Sequence, residues 1–434
     1  MKRSLFLISA SALALSAAAA FANSNTIYLD QTGDGQTASV DQSHSGNQIG
    51  TFADRFAQLN GGGNGGNSLT VTQSGDNNLL GVNKAGFQSG SGNSANISQA
   101  GSGSSVDLQQ TGTGNGVKNI GWTNGPIFDG IRQDQTAQAS AVDLSQNGAN
   151  NVFDIAQGGA SNRTTVKQSG ANGFVYVRQG TSLADTNFPP QNGYASSYGS
   201  NSTVDVNQTT IAGWTYAAVA QGGGSGNIVN IGQNGSYLGA GVSQSGFDNR
   251  FNAVQSGDSN NIGLQGNAGP DTPIRQFGDR NSYLAYQTGY GNRANGSQTG
   301  NSNDVWTSQT GTRNDLSGSQ TGFGNGVTSF QSGNGEVLSY SQTSYLIGNT
   351  IRSTQSGGSD HADLTQIGNN NTIVGAQAGG LGNLATVIQN GNGNIGLYTQ
   401  IGSGNVLTLT QIGNGNLANT SQTGSNNSIK IVQH

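Results

Sequence analysis

The sequence predicts an all-β chain. It reads as a two-sheet β-solenoid of stacked ~22-residue rungs, parallel and in register, with amyloid-like pairing. Three observations predict it. Glutamine recurs every eleven residues from Gln276 through Gln287, Gln298, Gln309, Gln320 and Gln331 to Gln342. The series resumes as Gln355, Gln366 and Gln377, then Gln389, Gln400, Gln411, Gln422 and Gln433. Most of these glutamines have a glycine two residues on and an asparagine five residues on, as in Gln298-Thr299-Gly300-Asn301-Ser302-Asn303. Such a fixed period marks a repeat architecture, in which each unit buries its inner face only against its neighbours. The third observation is composition. Of 434 residues 72 are glycine, 32% are hydrophobic, 9% are charged and five are proline. That is too little apolar residue for a conventional core, and too little charge and proline for a disordered chain. Amide side chains, by contrast, form ladders between stacked strands.

Residues 1–22 read as a signal peptide. Lys2 and Arg3 form a positive start, Leu5 to Ala20 an apolar run, and Ala20-Phe21-Ala22 a small-residue cleavage site. Cleavage after Ala22 removes two of 16 basic residues, leaving 14 against 21 acidic ones, a net charge of −7. Nothing later in the chain is apolar and long enough to span a bilayer as a helix. No basic stripe exists, so nucleic acid is not an expected partner. The chain has no cysteine, and its stability must come from stacking.

Within a strand, alternate side chains point to opposite faces. Asn427, Ile429, Ile431 and Gln433 therefore share one face, and Ser428, Lys430 and Val432 the other. The same register gives Asn281-Tyr283-Ala285-Gln287 and Asn405-Leu407-Leu409-Gln411. Charged residues such as Arg250, Asp304, Asp315 and Lys430 fall on the opposite set. The inner face is thus amide, apolar, apolar, amide. The expected inner ladder comprises the glutamines Gln276, Gln287, Gln298, Gln309, Gln320, Gln331, Gln366, Gln377, Gln400, Gln411, Gln422 and Gln433. Its asparagines are Asn281, Asn292, Asn303, Asn314, Asn325, Asn371, Asn405, Asn416 and Asn427. Each strand is expected to end at its glutamine, with Gly289, Gly300, Gly311, Gly322, Gly333, Gly402, Gly413 and Gly424 in the turns. A buried amide is costly unless paired. Identical amides above and below satisfy one another only in register, so the ladder also fixes register.

The N-terminal half keeps the pattern with gaps, as in Asn67-Leu69-Val71-Gln73 and Asn151-Phe153-Ile155-Gln157. All five prolines, Pro126, Pro189, Pro190, Pro270 and Pro273, lie in irregular places, and proline cannot donate to a central ladder. Residues 116–134 and 180–201 are therefore expected as loops, and 266–275 as a break. That divides the chain into a signal peptide (1–22), an irregular array (23–265), the break (266–275) and a regular array (276–434).

No chemistry-bearing constellation emerges, so no enzyme, cofactor or metal is expected. His361, near Asp360 and Asp363, reads as a surface residue. The period of eleven and asparagine at the turn exclude a calcium-binding nonapeptide roll. Strands of about seven residues with scattered aromatics do not fit a membrane barrel. The Gly-x-Gly stretches precede no helix and carry no phosphate-binding meaning.

The unit Gln-x-Gly-x-x-Asn-x-apolar-x-apolar-x-Gln resembles the curlin repeat, over most of the mature chain and most densely from Gln221 to Gln433. The chain has about three times the repeat number of familiar curlins. A glycine-rich segment before the first repeat is missing, with Gly61-Gly62-Gly63-Asn64-Gly65-Gly66 as an internal substitute. The resemblance implies a subunit of curli-like functional amyloid, exported via the periplasm through an outer-membrane secretion pore and assembled on a nucleator subunit into extracellular biofilm fibres. The partner is then chiefly the chain itself, with the last unit, Asn427, Ile429, Ile431 and Gln433, as the polymerising edge. Two alternatives stand beside this reading: a minor nucleator subunit, or a monomeric solenoid that binds ice or another surface. The second would use the outward hydroxyls of Ser297-Gln298-Thr299, Ser308-Gln309-Thr310, Ser319-Gln320-Thr321 and Ser341-Gln342-Thr343.

Overall fold

A computed structural model describes residues 24–60, 65–116, 130–133, 135, 137–180, 199–263 and 273–434, and the backbone of 13–15. Most of the expected loops 116–134 and 180–201, most of the expected break 266–275 and most of 1–22 lie outside the described residues. The described residues hold strands and turns and no helix. They fold as β-solenoids whose two large sheets are built from parallel strand pairs, in two compact units that divide between Trp214 and Thr215.

In the second unit, one sheet (A) stacks Thr215–Gly222, Leu238–Ser245, Ile274–Phe277, Ser297–Asn301, Asp315–Phe323, Val337–Thr343, His361–Ile367, Leu384–Asn390, Val406–Ile412 and Ser428–Gln433. The other sheet (B) stacks Ile228–Ser236, Arg250–Asp258, Ser282–Tyr290, Asp304–Thr312, Gly326–Asn334, Thr350–Gly358, Thr372–Leu381, Ile395–Ile401 and Leu417–Thr423. The chain alternates between them, so each pair of successive strands is one rung. Register is held residue for residue, with Gln287 beside Gln309 and Gln309 beside Gln331.

The strands on either side of 264–272, a stretch outside the described residues, stack in one sheet. Ile274–Phe277 pairs with Leu238–Ser245 on one side and Ser297–Asn301 on the other, and Gln244, Gln276 and Gln298 stay bonded in sequence. The prolines enter between Asn261–Ile262 and Ile274–Phe277, two pieces that occupy one strand position on Leu238–Ser245. Irregular spacing elsewhere is absorbed at turns. The two extra residues between Gln342 and Gln355 appear as an exposed tip, Tyr345-Leu346-Ile347. The extra residue after Gln377 shifts register only between Ser356 and Gly358.

The first unit is built alike. Its A sheet stacks Thr37–Gln42, Ser68–Gln73, Ser94–Gln99, Gly130–Gln133, Val152–Gln157 and Gly173–Gln179, and backbone residues 13–15 lie beside Ala38–Val40. Its B sheet includes Leu29–Thr32, Phe56–Leu59, Phe87–Ser91, Ser105–Thr113, Ala141–Ala149, Arg163–Ala171 and Thr203–Thr210. Gly130–Gln133 corrects the expected loop 116–134. Ile131 and Gln133 fill inner positions between Ile97-Gln99 and Ile155-Gln157. The strand was missed because no asparagine announces it.

Both cores are thin and apolar in the middle. Phe251, Tyr283, Val305, Leu316, Val327, Leu338 and Ile351 are fully buried in the second unit, and Ile97, Leu108, Leu144 and Ile155 in the first. Tyrosine is accommodated by glycine one rung away. A Cβ on Gly375 would lie 2.0 Å from Cζ of Tyr398, and one on Gly318 would lie 2.5 Å from the ring of Tyr340. The rungs thus trade volume along a column, keeping the core filled without forcing the sheets apart.

Candidate functional site: the amide columns and the last rung

Every glutamine of the expected inner ladder but the last is buried. In sheet A of the second unit, Nε2 of each glutamine donates to Oε1 of the next, from Gln221 through Gln244, Gln276, Gln298, Gln320, Gln342, Gln366, Gln389 and Gln411 to Gln433, at 2.8–2.9 Å. In sheet B the column runs from Gln233 through Gln255, Gln287, Gln309, Gln331, Gln355, Gln377 and Gln400 to Gln422, at 2.7–3.0 Å. The second N–H ties the two sheets together. Gln309 donates to Arg293 O at 2.7 Å and Gln320 to Asp304 O at 2.9 Å. The first unit carries the same columns, such as Gln73, Gln99, Gln133, Gln157 and Gln179.

The asparagines bond amide to amide at several rungs, Nδ2 of Asn303 donating to Asn281 Oδ1 at 3.1 Å and Nδ2 of Asn325 to Asn303 Oδ1 at 2.9 Å, and add bonds to the backbone. Each Oδ1 accepts the backbone N–H of the next asparagine position, as Asn281 does from Asn303 and Asn303 from Asn325, both at 3.1 Å. Each Nδ2 donates largely to backbone carbonyls: Asn281 to Gly300 O at 2.7 Å, Asn303 to Gly322 O at 3.0 Å. The glutamine column therefore joins side chains. The asparagine column joins side chains at several rungs and also satisfies the backbone where the chain enters each strand. Asn281, Asn292, Asn303, Asn314, Asn325, Asn371 and Asn405 are buried, whereas Asn416 is half-buried.

The turns also differ in detail. Strands such as Asp304–Thr312 run past the glutamine and include its glycine. Gly311 has φ 112°, and the left-handed corner comes two residues later, at Arg313 with φ 56°. The same division holds at Gly300 and Ser302. Gly289, Gly322 and Gly333 also lie inside strands, whereas Gly402, Gly413 and Gly424 follow the strand ends at Ile401, Ile412 and Thr423. A Cβ on Gly311 would stand 2.1 Å from Gly333 O. Gly311→Ala should lower the stability of the chain by about 1–3 kcal/mol, read as a fall in denaturation midpoint; an unchanged midpoint would show that the turn relaxes freely.

Two inner residues were missed. Glu336 and Asp360 occupy asparagine positions of sheet A, five residues after Gln331 and Gln355, and both are fully buried. The rule that charge faces outward hid them. The position after the glutamine was the available signal. Burial first, and then the neighbouring Asp360, raises the Glu336 carboxyl to about 7.

The last strand, Ser428–Gln433, pairs with Val406–Ile412 on one face only. Ile429 and Ile431 are half-buried, where Leu407 and Leu409 one rung below are buried. Asn427 is exposed and Gln433 half-buried. Gln433 accepts from Gln411 at 2.8 Å and donates to Leu417 O at 3.0 Å. Among the described residues this strand has one partner, and it carries the inner-face set Asn427, Ile429, Ile431 and Gln433.

The outward hydroxyls do not make one rank. Ser297, Ser319 and Ser341, with Thr299, Thr321 and Thr343, are in register on sheet A, while Ser308 and Thr310 lie on sheet B. On sheet A the rank ends at Thr365-Gln366-Ile367. His361 is half-exposed and pairs with Asp363 at 3.0 Å. Among the described residues no group of three or more His, Cys, Asp or Glu could hold a metal ion, and no helix is long and apolar enough to cross a membrane.

No protein-family model matches this chain, and no curated protein matches it in sequence.

Proposed function

We propose that this chain is a secreted structural subunit that polymerises into curli-like amyloid fibres of an extracellular matrix, by adding rungs to an open edge. The observation that carries the reading is the pair of glutamine columns, which run in register through the second unit with the same residue on successive rungs. A strand with the same Asn-x-apolar-x-apolar-x-Gln pattern matches any rung of such a stack, and edge strands recruit further strands. Secretion rests on the signal-like segment 1–22. An outer-membrane pore and a nucleating partner follow from the curlin resemblance alone.

The test is direct. Purified chain should form thioflavin-positive fibres with a ~4.7–4.8 Å meridional repeat; a persistently monomeric product would defeat the proposal. A fragment of Thr215–His434 should show a shorter lag than one of Asn23–Trp214 at equal molarity without seeds. The unequal spacing between glutamines in the shorter piece leaves longer chain to close before each next rung can form. The reverse order would show that column regularity does not set the rate. Surface binding through the hydroxyl rank is less well supported, because three rungs give a short strip with serine in one of its two columns.

A further inference from the structure

The asparagine column of sheet A runs through Asn292, Asn314, Glu336, Asp360, Asn383, Asn405 and Asn427. An amide there has two duties. Its oxygen accepts the next rung's N–H, and its nitrogen donates to backbone carbonyls: Asn314 to Thr310 O at 3.0 Å and Gly333 O at 3.3 Å, Asn383 to Gly402 O at 2.7 Å. The two carboxyls keep only the first duty. Glu336 Oε2 accepts Asp360 N–H at 3.0 Å, and Asp360 Oδ1 accepts the backbone and side-chain N–H of Asn383, each at 2.9 Å. The remaining oxygens, Glu336 Oε1 and Asp360 Oδ2, are buried without a partner. They lie at the place from which an amide nitrogen would donate, Oε1 beside Gly333 and Oδ2 beside Gly357.

A buried acceptor among carbonyl acceptors is repulsive, whereas a protonated carboxyl is a donor. We propose that Glu336 and Asp360 stand in for asparagine as neutral acids, so that the turns at residues 331–337 and 355–361 form a proton-controlled latch, closed in mild acid and loosened at alkaline pH. Among the described residues, no cation pairs with either carboxyl. Arg313 and Asp315 flank the column one rung below, His361 and Asp363 bond each other on the strand after Asp360, Arg352 lies on the outward face of sheet B, and Tyr398 adjoins from the core. Neither carboxyl has an ion pair among the described residues, and the two do not reach the three ligands of a metal cluster.

The sign follows from the raised values. Burial lifts both carboxyls, Glu336 from 4.5 to about 7. The folded chain thus binds more protons than the unfolded one, and the latch's contribution is complete below the unfolded value and lost as pH rises through about 7.

Hydrogen exchange of the full chain at pH 5 and pH 8, corrected for intrinsic rates, tests this. Protection of strands Val337–Thr343 and His361–Ile367 should fall at least tenfold at pH 8 relative to Val406–Ile412, which lies two strands beyond His361–Ile367 in the same sheet and serves as the internal control. Glu336→Gln with Asp360→Asn should abolish the difference, and Glu336→Gln alone should shrink it, while His361 and Asp363 remain. Equal relative protection at both pH values in the unaltered chain would overturn the latch, as would the same pH dependence in the double variant. Recovery of protection at pH 8 on adding Ca²⁺ alone would overturn it too, by showing that the orphaned oxygens take a cation.

Discussion

Gln309→Ala is expected to destabilise the chain by several kcal/mol, and Ser308→Ala by only a few tenths. Removing the Gln309 amide leaves Gln287 Nε2 without an acceptor, Gln331 Oε1 without its donor and Arg293 O without its inter-sheet bond, each made at 2.7 Å. Each buried group left unpaired costs about 1–3 kcal/mol. Ser308 faces outward, and its hydroxyl can be replaced by solvent contact. Gln320→Ala and Ser319→Ala should repeat the contrast on sheet A, where Gln320 donates to Gln342 and Asp304 O. Chemical denaturation midpoints measure the difference directly. Under the proposed function, the glutamine variants should also lengthen the fibre lag. Equal midpoints within a pair would mean that the columns contribute register and little stability.

Gly375→Ala is the second large effect. The added methyl would sit 2.0 Å from Cζ and 2.3 Å from Oη of Tyr398, inside a core where the ring has been seated over the missing side chain. Overpacking of this sort costs about 1–3 kcal/mol, and more where the neighbour cannot turn aside. Tyr398→Leu alone should also destabilise, by leaving a cavity. The combination should recover part of the loss, because the methyl then enters space the ring has vacated. Strictly additive midpoints for the two substitutions would show that Gly375 and Tyr398 are not coupled.

Much of this was legible in the sequence because a strand has a side-chain period of two and the repeat has a period of eleven. Together these fix which residues face inward once one glutamine is placed, and they placed Gln287, Gln309 and Gln331 on one sheet and Gln298 and Gln320 on the other. Four things were not legible. The turn was misplaced because glycine was read as the corner, whereas Gly311 bends the strand and Arg313 makes the left-handed step. The strand at Gly130–Gln133 lacked its asparagine. Glu336 and Asp360 were hidden by the expectation that carboxyls face water, which holds for Asp304 or Asp363 but not where a column of backbone donors needs acceptors. The glycine–tyrosine pairing joins residues a full rung apart, such as Gly375 and Tyr398, and a strand-by-strand reading does not compare them.

The way irregular spacing is confined to turns bears on how such a chain can grow by gene duplication. Copying one 11-residue unit would send every later strand to the opposite sheet and, at the junction, set strands that belong to different sheets beside one another. Copying a pair leaves all downstream neighbours as they were. Recombination between equivalent rungs is therefore nearly silent in structure, whereas a slip of half a rung leaves mismatched neighbours at the junction. Length variation among descendants should accordingly come in whole rungs, with small insertions collecting at tips such as Tyr345-Leu346-Ile347.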